Sequence, residues 1–298
     1  MVDLKVVSEI DPAANIAPDV RIGGHCVIGP GVRIGPGTVI GRHVTVLNTT
    51  KIGSGNVIGD GCVLGAIPQD LKYKGAEMLL VVGHKNRIGR NVTMNIGTES
   101  GGGVTRVGDG NTVMEGSHIA HDCFVDDNTY FGRCAQLAGH IRVQTGAVIG
   151  DLSGVHHFVT VGKYACVGPR TPVRRDVPSY TMFSSEDYGW SPPSVQGVHE
   201  NGIRAANLKP DEEAELRRAL NELFSNEAAL QTKIEQLMNL GVEGEAAMLC
   251  EFCQASLQGR FGRIRETQRG KIPDEARECL PPETLAEIES YTRDRSSR

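Results

Sequence analysis

Five of the nine histidines, His118, His121, His140, His156 and His157, fall in one stretch of the chain, and His121, Gly139 and His157 are spaced eighteen residues apart. If a fold stacks those three positions in one column, the imidazoles crowd a single edge. Charged rings would repel one another there, so neutral rings are expected. Neutral imidazoles act as general bases, or as donors and acceptors toward a ligand. Two other readings compete. One is a metal site, because neutral imidazole is the commonest zinc ligand. The other is a structural ladder of hydrogen-bonded histidines.

Further residues have chemical types without a convincing setting. Ser117, His118 and Asp122 suggest a hydrolase triad, but Ser117 holds a small, inward position of the repeat described next and reads as core. Cys123 shares that phase, so a thiol nucleophile is not expected. Cys250 and Cys253 form a lone C-x-x-C on an apolar helical stripe and read as packing. Gly101-Gly102-Gly103 lacks the Lys-Ser/Thr of a phosphate loop and reads as a flexible turn. Arg170, Arg174 and Arg175 form a basic patch, either solvated or suited to an acidic partner.

The element that must position the histidines is visible as a period of six. From Ile10 an aliphatic residue returns at Ile16, Ile22, Ile28, Ile34, Ile40, Val46, Ile52, Ile58 and Leu64, and again without interruption from Val107 to Val173. Neither a helix nor an alternating strand gives this period. A triangular coil does, each unit supplying one short strand and one corner. The fifth position is also small or β-branched, as in Cys26, Val32, Thr38, Ser117 and Ala135, and is expected to face inward. Three units make a coil, so residues eighteen apart stack.

Two breaks in the period, 66-80 and 97-105, read as loops extruded from corners. The first carries Gln69, Asp70, Lys72 and Tyr73. Periodicity ends after Asp176-Val177-Pro178. Residues 1-190 are therefore assigned to the coil, with 180-207 loop-rich at its end. Residues 191-298 are assigned to a helical domain. Pro210 followed by Asp211, Glu212 and Glu213 starts its first main helix. Apolar stripes on Leu230, Ile234 and Leu237, and on Leu249, Phe252, Cys253 and Leu257, mark two more. The chain from about Glu266 reads as a polar, dispensable tail with one short helix over 282–291.

The totals narrow the function. A net charge of −5 argues against a nucleic-acid or anionic-membrane surface. The N-terminus lacks a signal-peptide pattern, and the longest apolar run, Met78 to Val82, is too short to span a bilayer. Eight cysteines without such a signal read as reduced thiols in a cytoplasm.

His118-Ile119-Ala120-His121-Asp122-Cys123, Leu137-Ala138-Gly139-His140, Val155-His156-His157-Phe158 and Gln69-Asp70-Leu71-Lys72-Tyr73 together resemble the UDP-N-acetylglucosamine O-acyltransferases of lipid A biosynthesis, within the hexapeptide-repeat proteins. The likeness runs from the first coil to about Arg265. It implies a left-handed parallel β-helix, since ordinary crossovers are right-handed. It also implies a homotrimer with clefts between prisms, and transfer of a 3-hydroxyacyl chain from acyl carrier protein to the sugar's 3-hydroxyl. No metal or other cofactor is then required. Carried over, His121 is the general base and the Gly139 N–H the oxyanion donor. Gln69, Asp70, Lys72, His118, His140, His156, His157, His199 and Arg204 fall at positions that contact the nucleotide sugar or the acyl chain.

The sequence departs from the family pattern at Asn95, where a histidine is usual, and at His199 and His157. It also departs at Arg204-Ala205-Ala206, where an arginine cluster is usual. A paralogue acting on a related UDP-amino sugar, a metalloenzyme of the γ-carbonic-anhydrase type and a non-catalytic scaffold are the alternatives.

Overall fold

Each hexad folds as a two-residue strand followed by a turn, because one inward aliphatic residue per unit leaves the next residues free to round a corner. A computed structural model of the chain describes residues 8–187, 191–225 and 228–280, together with 282, 285, 286, 288 and 289. Among them the strands form three sheets of nine, eight and ten strands, each strand hydrogen-bonded to those one coil away. Pairing inside the prism is parallel and in register: Thr93, His118, Gln136 and Gly154 lie side by side on the first face.

The inward positions are as the period requires. Ile28, Val46, Ile119, Leu137 and Val155 are buried, as are the fifth-position residues Cys26, Thr38, Ser117, Cys123 and Ala135. On the third face the fifth position also holds Asn56, Asn86 and Asn111. These are tolerated inside because they bond to one another, Asn86 Nδ2 donating to Asn56 Oδ1 at 3.0 Å. Corners recur three residues after the inward aliphatic, in the left-handed conformation, at Asn91, Asp122, Asn128 and His140 among others.

The two extruded loops are shorter than expected. Strands Val63–Ala66 and Leu79–Val82 enclose the first, and Thr93–Asn95 and Val104–Val107 the second. Leu79 to Val82 pair along their whole length with Thr49 to Ile52, so the second-face strand begins before the hexad phase resumes. The glycine triplet forms a turn, as expected, but not an exposed one. Gly101, Gly102 and Gly103 are buried.

Past the coil, the segment expected to be loop contains an antiparallel pair, Thr181–Ser184 with Ser194–Val198, and helix α1, Glu200–Ala206. Helices α2 (Pro210–Leu223), α3 (Leu230–Asn239) and α4 (Gly244–Gln258) follow. They share a core of Leu216, Leu220, Ile234, Leu237, Leu249, Cys250 and Cys253. Burial pushes the Cys253 thiol up to about 12, so the C-x-x-C pair is inert packing. Among the described residues no helix is long and apolar enough to cross a membrane.

The tail differs most from expectation. After a 3-10 turn, Ile264–Gln268, and helix α5, Asp274–Cys279, it lies on the second face of the prism rather than free in solvent. Ile272, Ala276, Leu280 and Ile288 are buried in the prism's own core cluster. Glu275 pairs with Arg142 of the second face. A polar composition concealed these four apolar contacts. The short helix expected over 282–291 lies largely outside the described residues.

Candidate active site

The histidine column forms at the corner between the first and second faces. His121 is two residues beyond the strand His118–Ile119, and Gly139 two residues beyond Gln136–Leu137. One coil stacks on the next there: His140 N–H donates to the His121 carbonyl at 3.0 Å, and Phe158 N–H to the Gly139 carbonyl at 3.3 Å. A cavity of about 470 Å³ opens beside the column, lined by Gln69, His118, His121, Gly139, His156 and Arg174.

His121 is buried, and its Nδ1 lies 2.8 Å from Asp122 Oδ2. Alternation along a strand would point Asp122 away from His121. That holds for neighbours on a strand, but the strand has already ended. Asp122 sits at the corner with φ 58°, a left-handed turn that swings its carboxylate back toward the ring. The second loop then seats the carboxylate. Thr98 N–H donates to Oδ1 at 2.8 Å and Thr98 Oγ1 to Oδ2 at 2.6 Å, while Asp122 N–H donates to Thr105 Oγ1 at 2.8 Å. The glycine triplet serves this seat: a Cβ at Gly101 would lie 2.1 Å from Asp122 Cγ. With its carboxylate accepting, Asp122 holds the proton of His121 on Nδ1 and leaves the Nε2 lone pair for a substrate.

Gly139 owes its identity to the ring beneath it. A Cβ there would fall 2.5 Å from His121 Cε1 and 2.7 Å from Nε2. Its N–H is uncapped, as are those of His121 and His157 in the same column, among the described residues. At the same phase elsewhere three amides are capped by an aspartate one coil on: Arg42 N–H by Asp60 at 2.8 Å, Asp109 by Asp127 at 2.7 Å, Arg133 by Asp151 at 2.9 Å. One coil beyond Gly139 stands His157, and among the described residues the Gly139 N–H has no acceptor. A free, fixed amide beside a base can hold a developing oxyanion. Gly139→Ala should therefore lower kcat by at least about tenfold in a folded protein, by displacing the His121 ring. An alanine variant with unaltered kcat would show that the ring has room to move without loss.

The other histidines form a wall around this pair. His118 Nδ1 meets Thr93 Oγ1 at 2.7 Å, and its buried Nε2 has no partner among the described residues. His140 lies behind His121, edge-on at 5.1 Å, and stacks on Phe158 at 4.4 Å. His157 packs on His156 with ring centroids 3.8 Å apart. Burial lowers the affinity of His118 and His140 for protons. His157 is pushed down to about 4, first by burial and then by the nearby His156 and Arg263.

A free imidazole titrates near 6.5, so the unfolded chain takes a proton that native His157 refuses. Stability associated with His157 is complete above about pH 6.5 and declines as the pH falls toward about 4. On acidification across that window, wild type should lose melting temperature relative to His157→Gln. Parallel curves would mean that His157 titrates normally.

Donor atoms of His121, Asp122 and His140 lie within 4.8 Å of one another, the geometry of a possible metal triad. The carboxylate is already engaged by Thr98 and His121, so a cation would have to break three hydrogen bonds to enter. The donor set fits a hydrogen-bonded dyad better than a metal centre.

The remaining candidates are dispersed. Gln69 reaches the cavity, and the charge of Asp70 bears on His140. Lys72 is exposed on the first extruded loop, an arm over 67–78, beside a Leu71 fully open to solvent. Asn95 ties down the root of that arm, Nδ2 donating to the Ile67 carbonyl at 2.8 Å. His199 is buried against the Tyr164 carbonyl at 2.7 Å, and Arg204 is exposed on α1, bonded to Asn201. Neither His199 nor Arg204 joins the cavity.

Sequence reasoning missed Asp122, Thr98 and Arg174 as site residues. Asp122 carried a signal, since the left-handed corner favours Asp, Asn and His. Thr98, brought in by a loop without period, carried none.

No protein-family model matches the chain. It is 43% identical over 215 residues to an acyl-acyl-carrier-protein–UDP-N-acetylglucosamine O-acyltransferase of Xylella fastidiosa, covering 72% of this chain and 80% of the relative. It is 37% identical over 206 residues to the protein of that name from Synechocystis, covering 68% and 72%. The solved UDP-N-acetylglucosamine O-acyltransferase of Moraxella catarrhalis superposes with a TM-score of 0.74 at 33% identity, over 82% of this chain and 93% of that one.

Proposed function

The chain belongs to the acyl-acyl-carrier-protein–UDP-N-acetylglucosamine O-acyltransferase family, a family of left-handed β-helices, and on that premise we propose how its own residues carry the transfer. His121 Nε2 removes the proton of the sugar's 3-hydroxyl as the oxygen attacks the thioester carbonyl of an acyl carrier protein. The carbonyl oxygen becomes an oxyanion held by the Gly139 N–H. Collapse of that intermediate breaks the carbon–sulfur bond, and the imidazolium returns its proton to the departing thiolate. Because the thioester is already activated, neither metal nor covalent nucleophile is needed. A positioned histidine contributes roughly 10²–10⁴-fold and an oxyanion donor about 3 kcal/mol. The observation that carries this reading is the His121–Asp122 contact of 2.8 Å beside a Gly139 amide that has no acceptor among the described residues.

The active form is a cytoplasmic homotrimer. The cavity is an open groove on one face; Lys72 is exposed on the loop that carries Gln69, while His199 and Arg204 lie on elements away from it. A neighbouring prism in a cyclic assembly would bring such elements to a shared cleft, which supports their proposed role in substrate binding. Sedimentation should give a trimer, and a fully active monomer would refute this arrangement.

Mass spectrometry of products from a panel of carrier-protein thioesters and UDP-sugars tests the reaction. UDP-N-acetylglucosamine acylated on its 3-hydroxyl is expected. Acylation only of a 3-amino sugar would assign the chain to the paralogous reaction instead, and no transfer at all would sink the reading.

A further inference from the structure

We propose that Arg263, at the root of the tail, is a positioning residue for the transfer, holding His156 in the tautomer that presents Nε2–H to a substrate oxygen. The inference rests on the function proposed above and adds a residue to it. Arg263 Nη1 lies 2.8 Å from His156 Nδ1. A guanidinium only donates, so Nδ1 must accept and the ring carries its proton on Nε2. A second neighbour favours the opposite state. The His157 carbonyl is 3.4 Å from the same Nδ1 and can only accept. The two contacts compete for one nitrogen, and the shorter one, to an ionised donor, prevails. Without Arg263 the carbonyl alone remains, and the proton is drawn to Nδ1. The Nε2 would then offer a lone pair where it had offered a donor.

The arginine is held for this task. Its side chain is 7% exposed, with Glu266 at 3.3 Å from Nη2 and the Arg174 carbonyl accepting from Nη1 at 3.3 Å. Glu266 is fixed in turn by Arg269, whose Nε donates to it at 3.0 Å. The Arg269 guanidinium lies 4.4 Å over the Phe158 ring, and that ring stacks on His140. Residues 263–269 thus brace the histidine wall from behind. His156 itself lines the cavity with His121 and Gly139. A donor there suits a hydroxyl, carbonyl or phosphate oxygen of either bound substrate.

The test uses the full chain labelled with ¹⁵N-histidine, alongside steady-state kinetics. The wild-type His156 ring should show a bare Nδ1 and a protonated Nε2. Arg263→Met should move the proton toward Nδ1 and lower kcat/KM about tenfold, the rate equivalent of one net hydrogen bond. Arg263→Lys, which keeps a donor, should restore the tautomer and most of the rate. In a His156→Ala background, Arg263→Met should cost nothing further. Unchanged ring shifts in Arg263→Met, or additive losses in the double variant, would overturn the proposal. If the methionine variant does not fold, a wild-type ring protonated on Nδ1 overturns it alone. Should wild type transfer no acyl group, the proposed reaction fails, while the ring spectrum still decides the role of Arg263.

Discussion

His121→Ala should leave the folded protein able to bind both substrates while kcat falls by at least about a hundredfold. Among the described residues, the ring is the one base whose Nδ1 is tied to a buried carboxylate and whose Nε2 lies against Gly139. Removing it takes away proton transfer without touching the inward residues that hold the coil. Asp122→Asn should follow in the same direction with a smaller loss. An amide accepts through one atom only, so it cannot meet the donors at both Oδ1 and Oδ2 as the carboxylate does, and the required tautomer is no longer enforced. Single-turnover measurements separate these chemical losses from changes in release. Near-normal kcat in a folded His121→Ala protein would eliminate it as the base. His118 would then be next in line, since its Nε2 is buried at the cavity with no partner among the described residues.

Removal of the tail after Arg265 is the change expected to harm stability most. Ile272, Leu280 and Ile288 are at most 9% exposed and Ala276 is fully buried, all within the prism's core. Burial of an Ile or Leu side chain contributes roughly 1.5–3 kcal/mol, so three of them amount to a large share of a domain's net 5–15 kcal/mol, as an upper estimate. The same residues cover the glycine triplet: Ile272, Pro273 and Ala276 lie against Gly102, and Ile288 against Gly103. That loop seats Asp122. The truncated chain should therefore melt many degrees lower and lose turnover even at temperatures where it remains folded. A truncated protein with the wild-type melting profile and rate would show that the tail merely lies on the surface. Arg263 stays in this variant but loses Glu266 and Arg269, so its loss of activity includes any effect that passes through Arg263.

The period of six determined the coil, its inward residues and its stacking without any help from tertiary structure. Each aliphatic position needs burial, and repeating that need every six residues admits one register. The stacking of His121 under Gly139 follows from that register alone, as does the neutrality expected of a crowded histidine wall. Three things were decided only in three dimensions. The left-handed corner at Asp122 turned its carboxylate onto His121, and the loop around Thr98 and Gly101 closed over it. The tail settled on the second face through four apolar residues scattered in a polar stretch. Arg263 reached His156 from 107 residues away in the chain. None of these contacts recurs, so no spacing announces them. A repeat fixes the neighbours one coil above and below, whereas a loop or tail meets its partners only after the coil exists to receive it.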